Sequence, residues 1–246
     1  MLRRIRLALG LAPRQTSTPD DLSRLPDLGA VLPPIAPDDL VTRFEQESAK
    51  VGASAHRIRI RSEIGSLLLE ILKSGPEAGV VLSRNPLLAR LDLEAVCRGV
   101  GVPAWTWPSG SFGGAGNGEG PGSGPSRTSS PGHDYRERCF SAAAGITGVD
   151  FALAESGTLV LSSLTEGSQL SSLAPPIHIA FYLRSQVVGS LEEVLAGLQT
   201  QLMTSDRSPA RSIVFVTGTS RTADIEQILI RGVHGPREVH PILVED

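Results

Sequence analysis

The chain has 246 residues, 40% of them hydrophobic and 20% charged, which is enough apolar material to bury one sizeable α/β core. Its formal charge of −3, with the basic residues dispersed, gives no general attraction to phosphate backbones or anionic membranes and argues against nucleic acid as a partner. Two cysteines, Cys97 and Cys139, argue against a disulfide framework or a zinc site and are too few for a conventional iron–sulfur cluster.

Met1 to Leu9 is basic and carries Leu2, Ile5 and Leu9 as a short helical stripe, with no long apolar run or cleavage site after it. No stretch approaches the length of a membrane span, so a cytosolic protein without membrane insertion is expected. Gly10 to Pro37 contains six prolines and little periodicity, which reads as an extended connector. Residues 1–37 are thus set apart from a single α/β domain over 38–246.

Within that domain Asp38 caps a helix bearing Leu40, Val41, Phe44 and Val51, and Gly52 ends it. A strand at about Ala55–Ile60, a helix over Ile64–Leu72, a buried strand at Gly79–Ser83, a helix over Leu91–Arg98 and a strand at Val102–Trp107 follow. The alternation predicts a three-layer α/β fold with a mainly parallel sheet. Residues 108–132 are rich in Gly, Ser and Pro and read as a long mobile loop, either a lid over a site or an insertion without one. Asp134 and Glu137 resemble a capping box opening a helix to about Ala144.

Farther on, Phe151–Glu155 and Thr158–Ser162 suit an antiparallel hairpin turned at Ser156-Gly157. Ile177–Leu183 is a strand, and Leu191–Met203 is a helix opened by the capping box of Ser190 and Glu193. Ile213–Val216 is a continuous apolar run that fits a central parallel strand. A helix over Thr222–Arg231 and a last strand at Glu238–Val244 complete the pattern.

One candidate site is the turn after Ile213–Val216. A strand, small-residue turn and helix in that order direct backbone N–H groups at one spot. Gly218 permits close approach, Thr219, Ser220 and Thr222 offer hydroxyls, and Arg221 offers a charged clamp for a carboxylate or phosphate. The alternative is a plain helix cap. Glu155 ends an apolar strand beside Gly157 and Thr158, where it suits an acid/base or nucleophilic role or a bond to nearby backbone N–H groups. His234 follows the expected helix and either reaches a ligand or shapes a turn. His178 and His240 alternate with apolar neighbours and read as packed or edge histidines, and no His, Asp and Glu spacing suggests a metal.

Five segments, Ala144-Gly145-Ile146-Thr147, Ala154 to Leu159, Leu173 to Ile179, Gly218 to Glu226 and Gly232 to Glu238, together resemble the LUD domain, in the LutC/YkgG branch of lactate-utilization proteins. The resemblance runs from about Asp38 to the C-terminus. It implies a fold related to ribose-5-phosphate isomerase, glucosamine-6-phosphate deaminase (NagB-like) and CoA transferases, which bind anionic substrates at strand carboxyl ends. It also implies a place in an L-lactate to pyruvate oxidation system in which partner subunits, not this chain, carry iron–sulfur clusters. Glu155-Ser156-Gly157 is similar to the Glu-x-Gly nucleophile of CoA transferases. Three functions remain open here. They are an accessory of lactate oxidation that holds an anionic small molecule at 218–222, a stand-alone enzyme for a phosphosugar or acyl-CoA using Glu155, and a non-catalytic sensing or scaffold module.

Overall fold

Val80–Leu82 and Ile177–Leu183 are runs of apolar residues with no polar alternation, which a strand tolerates only when both of its faces are covered. In the computed structural model they lie inside a six-stranded sheet whose pairs are all parallel. The structure describes residues 35–73, 75–108, 131–204, 212–223, 229–232 and 234–245. The expected helix at Met1–Leu9, nearly all of the connector and nearly all of the 108–132 loop lie outside them.

The strands are β1 (His56–Ile58), β2 (Val80–Leu82), β3 (Ala104–Thr106), β4 (Ala144–Thr147), β5 (Phe151–Leu153), β6 (Thr158–Ser162), β7 (Ile177–Leu183), β8 (Val187–Val188), β9 (Ile213–Val216), β10 (Arg221–Ala223), β11 (Leu229–Arg231) and β12 (Glu238–Val244). The helices are α1 (Leu40–Lys50), α2 (Ser62–Leu72), α3 (Pro86–Arg90), α4 (Leu93–Gly99), α5 (Pro131–Ser141), α6 (Ser163–Glu166), α7 (Leu170–Leu173) and α8 (Leu191–Thr204). The large sheet has the order β1-β12-β7-β4-β2-β3, and a smaller mixed sheet has the order β8-β5-β6-β9.

The two-residue period of a strand sends alternate side chains of β7 into different cores. Ile179 and Phe181 join Ile64 and Leu68 of α2 and Leu93 of α4 on one face. Ala180 and Tyr182 join Phe44 of α1 and Leu159 and Leu161 of β6 on the other. Val194 and Leu198 of α8 then cover the outer side of the small sheet through Leu153 and Val160. Helices, parallel sheet and a second covering layer therefore stack as expected for this class of fold, with the 151–162 hairpin in the second layer.

Four local expectations are corrected. The helix expected to reach Ala144 stops at Ser141, and Ala144–Thr147 is instead the strand β4, fully buried along its length. The helix expected over Leu91–Arg98 is α4, which begins only at Leu93, and an unexpected short helix, α3, precedes it, the two joined through Asp92 with φ of 51°. Ile213–Val216 runs antiparallel to β6 at the edge of the small sheet, with Phe215 45% exposed. An apolar run records burial of at least one face and does not tell a centre strand from an edge. Finally, no helix spans Thr222–Arg231: β10 and β11 pair antiparallel across it, with Thr222 opposite Ile230, and residues 224–228 lie outside the described ones.

The two strand histidines are buried, as read from the sequence. His178 is fully enclosed, with Nε2 2.8 Å from Thr147 Oγ1 and Nδ1 without a partner among the described residues. Burial depresses its pKa to about 3, with the neighbouring His240 adding to the effect. A depressed folded pKa gives stability that is present above the unfolded value of 6.5 and is lost as pH falls toward 3. His178→Gln should therefore flatten the acid side of the stability curve, by about 1.4 kcal/mol per pH unit where it is steepest, as measured by urea unfolding at several pH values.

Candidate functional site

In an open parallel sheet a ligand crevice forms where two neighbouring strands send their chains in opposite directions from their carboxyl ends. Here β2 is followed by β3 on one side, and β4, on its other side, is followed in the sheet by β7 farther away. The switch point is thus between Leu82 and Thr147. The residues leaving it are Ser83, Arg84 and Asn85 from β2, and Gly148, Val149 and Asp150 from β4.

Local sequence fixes these groups. Asn85 caps α3, accepting Leu87 N–H at 2.9 Å, with Pro86 at the first helical position where its missing donor costs nothing. Gly148 has no side chain because a Cβ there would come within 2.2 Å of the Asn85 amide carbon. After the β5-β6 hairpin, α6 returns the chain to the switch point and delivers Glu166, which is fully buried.

Four polar groups surround the Glu166 carboxyl. Ser83 Oγ donates to Oε2 at 2.5 Å and Gly148 N–H to the same oxygen at 3.2 Å, while Asn85 Nδ2 donates to Oε1 at 2.5 Å and Thr165 Oγ1 lies 3.2 Å from Oε1. Asp150 Oδ2 accepts Ser162 N–H at 2.7 Å and the Thr165 hydroxyl at 3.0 Å. Burial pushes the Glu166 pKa up to about 7, against the bonds from Ser83 and Asn85 and with help from the Asp150 charge. Burial also raises Asp150, opposed by Ser162 and Thr165. A carboxyl that titrates near neutral pH is a proton donor and acceptor at working pH.

A cavity of about 340 Å³ opens beside this cluster, lined by Asn85, Arg90, Asp150, Thr165, Leu183 and Gln186 among others. Arg90 is among the residues at its wall, and a guanidinium suits a carboxylate. Gln186 is committed to structure, donating to Val149 O at 2.6 Å and accepting Leu183 N–H at 2.9 Å. Gly148→Ala should drive Asn85 away from Glu166 and destabilise the fold by about 1–3 kcal/mol, measured by chemical unfolding, with the Glu166 titration shifted as well.

The residues singled out from the sequence gather elsewhere, around the C-terminal end of α1. Gly157, at φ of 66°, lies so close to Glu47 and Ser48 that a Cβ would approach Ser48 N to 2.2 Å, and Gly218, at φ of 71°, lies as close to Val51 O. Thr158 Oγ1 joins Ser156 Oγ at 2.7 Å and Thr217 Oγ1 at 2.8 Å, linking the hairpin turn to the 218 turn. Gly235 lies against Ser220, and His234 beside it is exposed.

The donors expected to face an anion are used within this junction. Thr219 N–H bonds Val51 O at 3.3 Å and Ser220 N–H bonds Pro236 O at 2.9 Å. Arg221 Nε donates to Thr219 Oγ1 at 3.3 Å, and its guanidinium lies over Gly52, at the C-terminal end of α1 where a cation complements the dipole. The expected strand-turn-helix at 218–222 is a strand, a turn and a β-ribbon, so no helix N-terminus stands behind these residues. Glu155 Oε1 accepts Leu191 N–H at 3.0 Å and so caps α8, the backbone-bonded alternative for this residue.

The switch-point cluster was missed because each part looks ordinary alone. Ser83-Arg84-Asn85 and Thr165-Glu166-Gly167 read as loops, and only the crossover brings them together. The signal that was available was Asn85-Pro86, a helix-start pattern placed immediately after a buried strand. Among the described residues no group of three or more His, Cys, Asp or Glu is placed to hold a metal. Burial raises the pKa of both Cys97 and Cys139 to about 11, which makes them inert thiols.

A parallel α/β sheet with a polar crevice at its switch point is the arrangement in which open α/β sheets place small-molecule sites. The sequence profile of the LUD domain matches residues 41–244, and the chain belongs to the LUD domain family. It is 40% identical over 110 residues to lactate utilization protein C of Halalkalibacterium halodurans, an alignment covering 45% of this chain and 47% of that protein. To lactate utilization protein C of Bacillus subtilis it is 27% identical over 216 residues, covering 85% of this chain and 80% of that protein. The chain thus spans about half the length of the first of these relatives and most of the second. A crystal structure of a DUF162 family protein from Deinococcus radiodurans shares the fold, with a TM-score of 0.54, 18% identity, and coverage of 86% of this chain and 99% of that one. Among the described residues no helix is long and apolar enough to cross a membrane.

Proposed function

We propose that this chain is a cytosolic component of a lactate-utilization system that binds a small carboxylate in the β2/β4 crevice and exchanges a proton with it. Oxidation of lactate to pyruvate releases two electrons and two protons, one of them from the 2-hydroxyl. This chain handles the hydroxyl proton. The electrons pass to iron–sulfur subunits, a division of labour that its two cysteines support because a conventional cluster takes four.

The observation that carries this reading is Glu166, a fully buried carboxyl at the switch point whose pKa is raised to about 7. Its setting suits a group that takes a proton and returns it. Arg90 suits the substrate carboxylate, and Leu87, Val149 and Leu183 suit the short carbon chain. The family relatives named lactate utilization protein C support the choice of substrate class.

The test is reconstitution of L-lactate oxidation from purified subunits. Omission of this chain should abolish pyruvate formation, and addition of the purified chain should restore it. An equal rate without the chain would remove it from the reaction.

A further inference from the structure

Glu166 does not line the cavity, whereas Asp150 and Thr165 do. Any proton leaving Glu166 for a molecule in the crevice must therefore cross another group. Thr165 Oγ1 stands between the two carboxyls, 3.2 Å from Glu166 Oε1 and 3.0 Å from Asp150 Oδ2, with Ser162 O also at 3.2 Å.

A hydroxyl carries one hydrogen and cannot donate to both carboxylates at once. If both were ionised, Thr165 would present a lone pair to one of them at bonding distance, an unfavourable contact. The contact is satisfied when Glu166 is protonated and donates to Thr165 Oγ1, while Thr165 donates to Asp150 Oδ2. The remaining donors fit this state. Ser83 and Gly148 both serve Glu166 Oε2, Oε1 faces Thr165 while accepting Asn85 Nδ2 at 2.5 Å, and Ser162 N–H holds Asp150 as an acceptor.

We infer that Asp150, Thr165 and Glu166 form a proton relay, in which Glu166 stores the proton and Asp150 exchanges it with the molecule in the crevice. The inference rests on the crevice being the working site. In each transfer Thr165 gives its hydrogen to Asp150 and takes the one from Glu166, so Asp150 becomes the acid, Glu166 the carboxylate, and Thr165 ends unchanged. The reverse transfer lets Asp150 accept the 2-hydroxyl proton and refill Glu166. The charged and titratable groups around the relay are Arg84 on the β2-α3 loop, which donates to Leu164 O at 3.0 Å, Arg90 on α3, and Tyr135 on α5, which senses the Glu166 charge.

The test uses the intact chain without substrate. The infrared band of the Glu166 carboxylic acid, assigned by its loss in Glu166→Gln, is followed after mixing into D2O near neutral pH. Thr165→Val should exchange roughly a hundredfold more slowly than wild type, and Thr165→Ser should restore the wild-type rate. Asp150→Asn should also slow exchange, which keeps the test open if Thr165→Val does not fold. Exchange as fast as wild type in a folded Thr165→Val or Asp150→Asn protein would overturn the relay. Pyruvate titration of the same proteins separates the two readings: wild type that exchanges through Thr165 but binds no pyruvate would contradict the proposed function and keep the relay, and the opposite pair of results would do the reverse.

Discussion

Glu166→Gln should lower lactate oxidation by the reconstituted system by roughly a hundredfold or more while the chain stays folded. Glutamine keeps the shape of the side chain and an acceptor for Asn85 Nδ2, but it cannot store a proton. One mismatch follows, because the new amide N–H group faces Gly148 N–H where a carboxylate oxygen had accepted it, at a cost of about 1 kcal/mol. Against that cost, the variant no longer buries a charge. Because the folded pKa of Glu166 is raised from 4.5 to about 7, its contribution to stability is fully present below 4.5 and is lost as pH rises to about 7. That span corresponds to on the order of 3 kcal/mol. Urea unfolding at pH 5 and pH 8 should show wild type losing ground relative to Glu166→Gln at the higher pH. The opposing titration of His178 is common to both proteins and cancels in the difference.

Gly145→Ala should be the most damaging single methyl added to the fold. Gly145 lies in β4 between Val81 of β2 and His178 of β7, in the middle of the large sheet. Its missing side chain is where α7 crosses: a Cβ would stand 1.7 Å from Ser171 O and 2.7 Å from the carbonyl carbon behind it. The obstacle is backbone, so no rotamer change relieves it. The strand cannot retreat either, because it is bonded to neighbours on both sides. The loss should be about 3 kcal/mol or more, lowering Tm by roughly 10 °C. Calorimetry of the purified variant measures it. A thermal midpoint within a degree or two of wild type would mean that α7 does not rest on β4 as described.

These two residues mark what was legible in the sequence. Gly145 belongs to a segment that carries the family resemblance, yet its strand was not expected and the helix before it was read on to about Ala144, because four small and apolar residues carry no period of their own. The parallel sheet was readable because strand patterns such as Val80–Leu82, Ile177–Leu183 and Glu238–Val244 alternate with helical ones along the chain. The ribbon β10-β11 was not, since Ile225, Ile228 and Leu229 fit helical spacing and the opposing preference of pairing is set by tertiary contact. For the site, the turns at Glu155 and Gly218 were rightly seen as tight glycine turns. The structure shows what those glycines accommodate, the backbone at the end of α1. The acid at the switch point was hidden because Ser83, Gly148 and Glu166 come from three separate crossings of the sheet.

The claim that the β2/β4 crevice is the ligand site is tested most directly by titrating the isotopically labelled chain with pyruvate and following backbone amide shifts. The account predicts saturable shifts at Asn85, Leu87, Gly148, Asp150 and Thr165, lost in Arg90→Ala and kept in Glu166→Gln. Shifts confined to Gly157, Thr158 and Gly218–Arg221 would contradict it and return the ligand to the junction beneath α1.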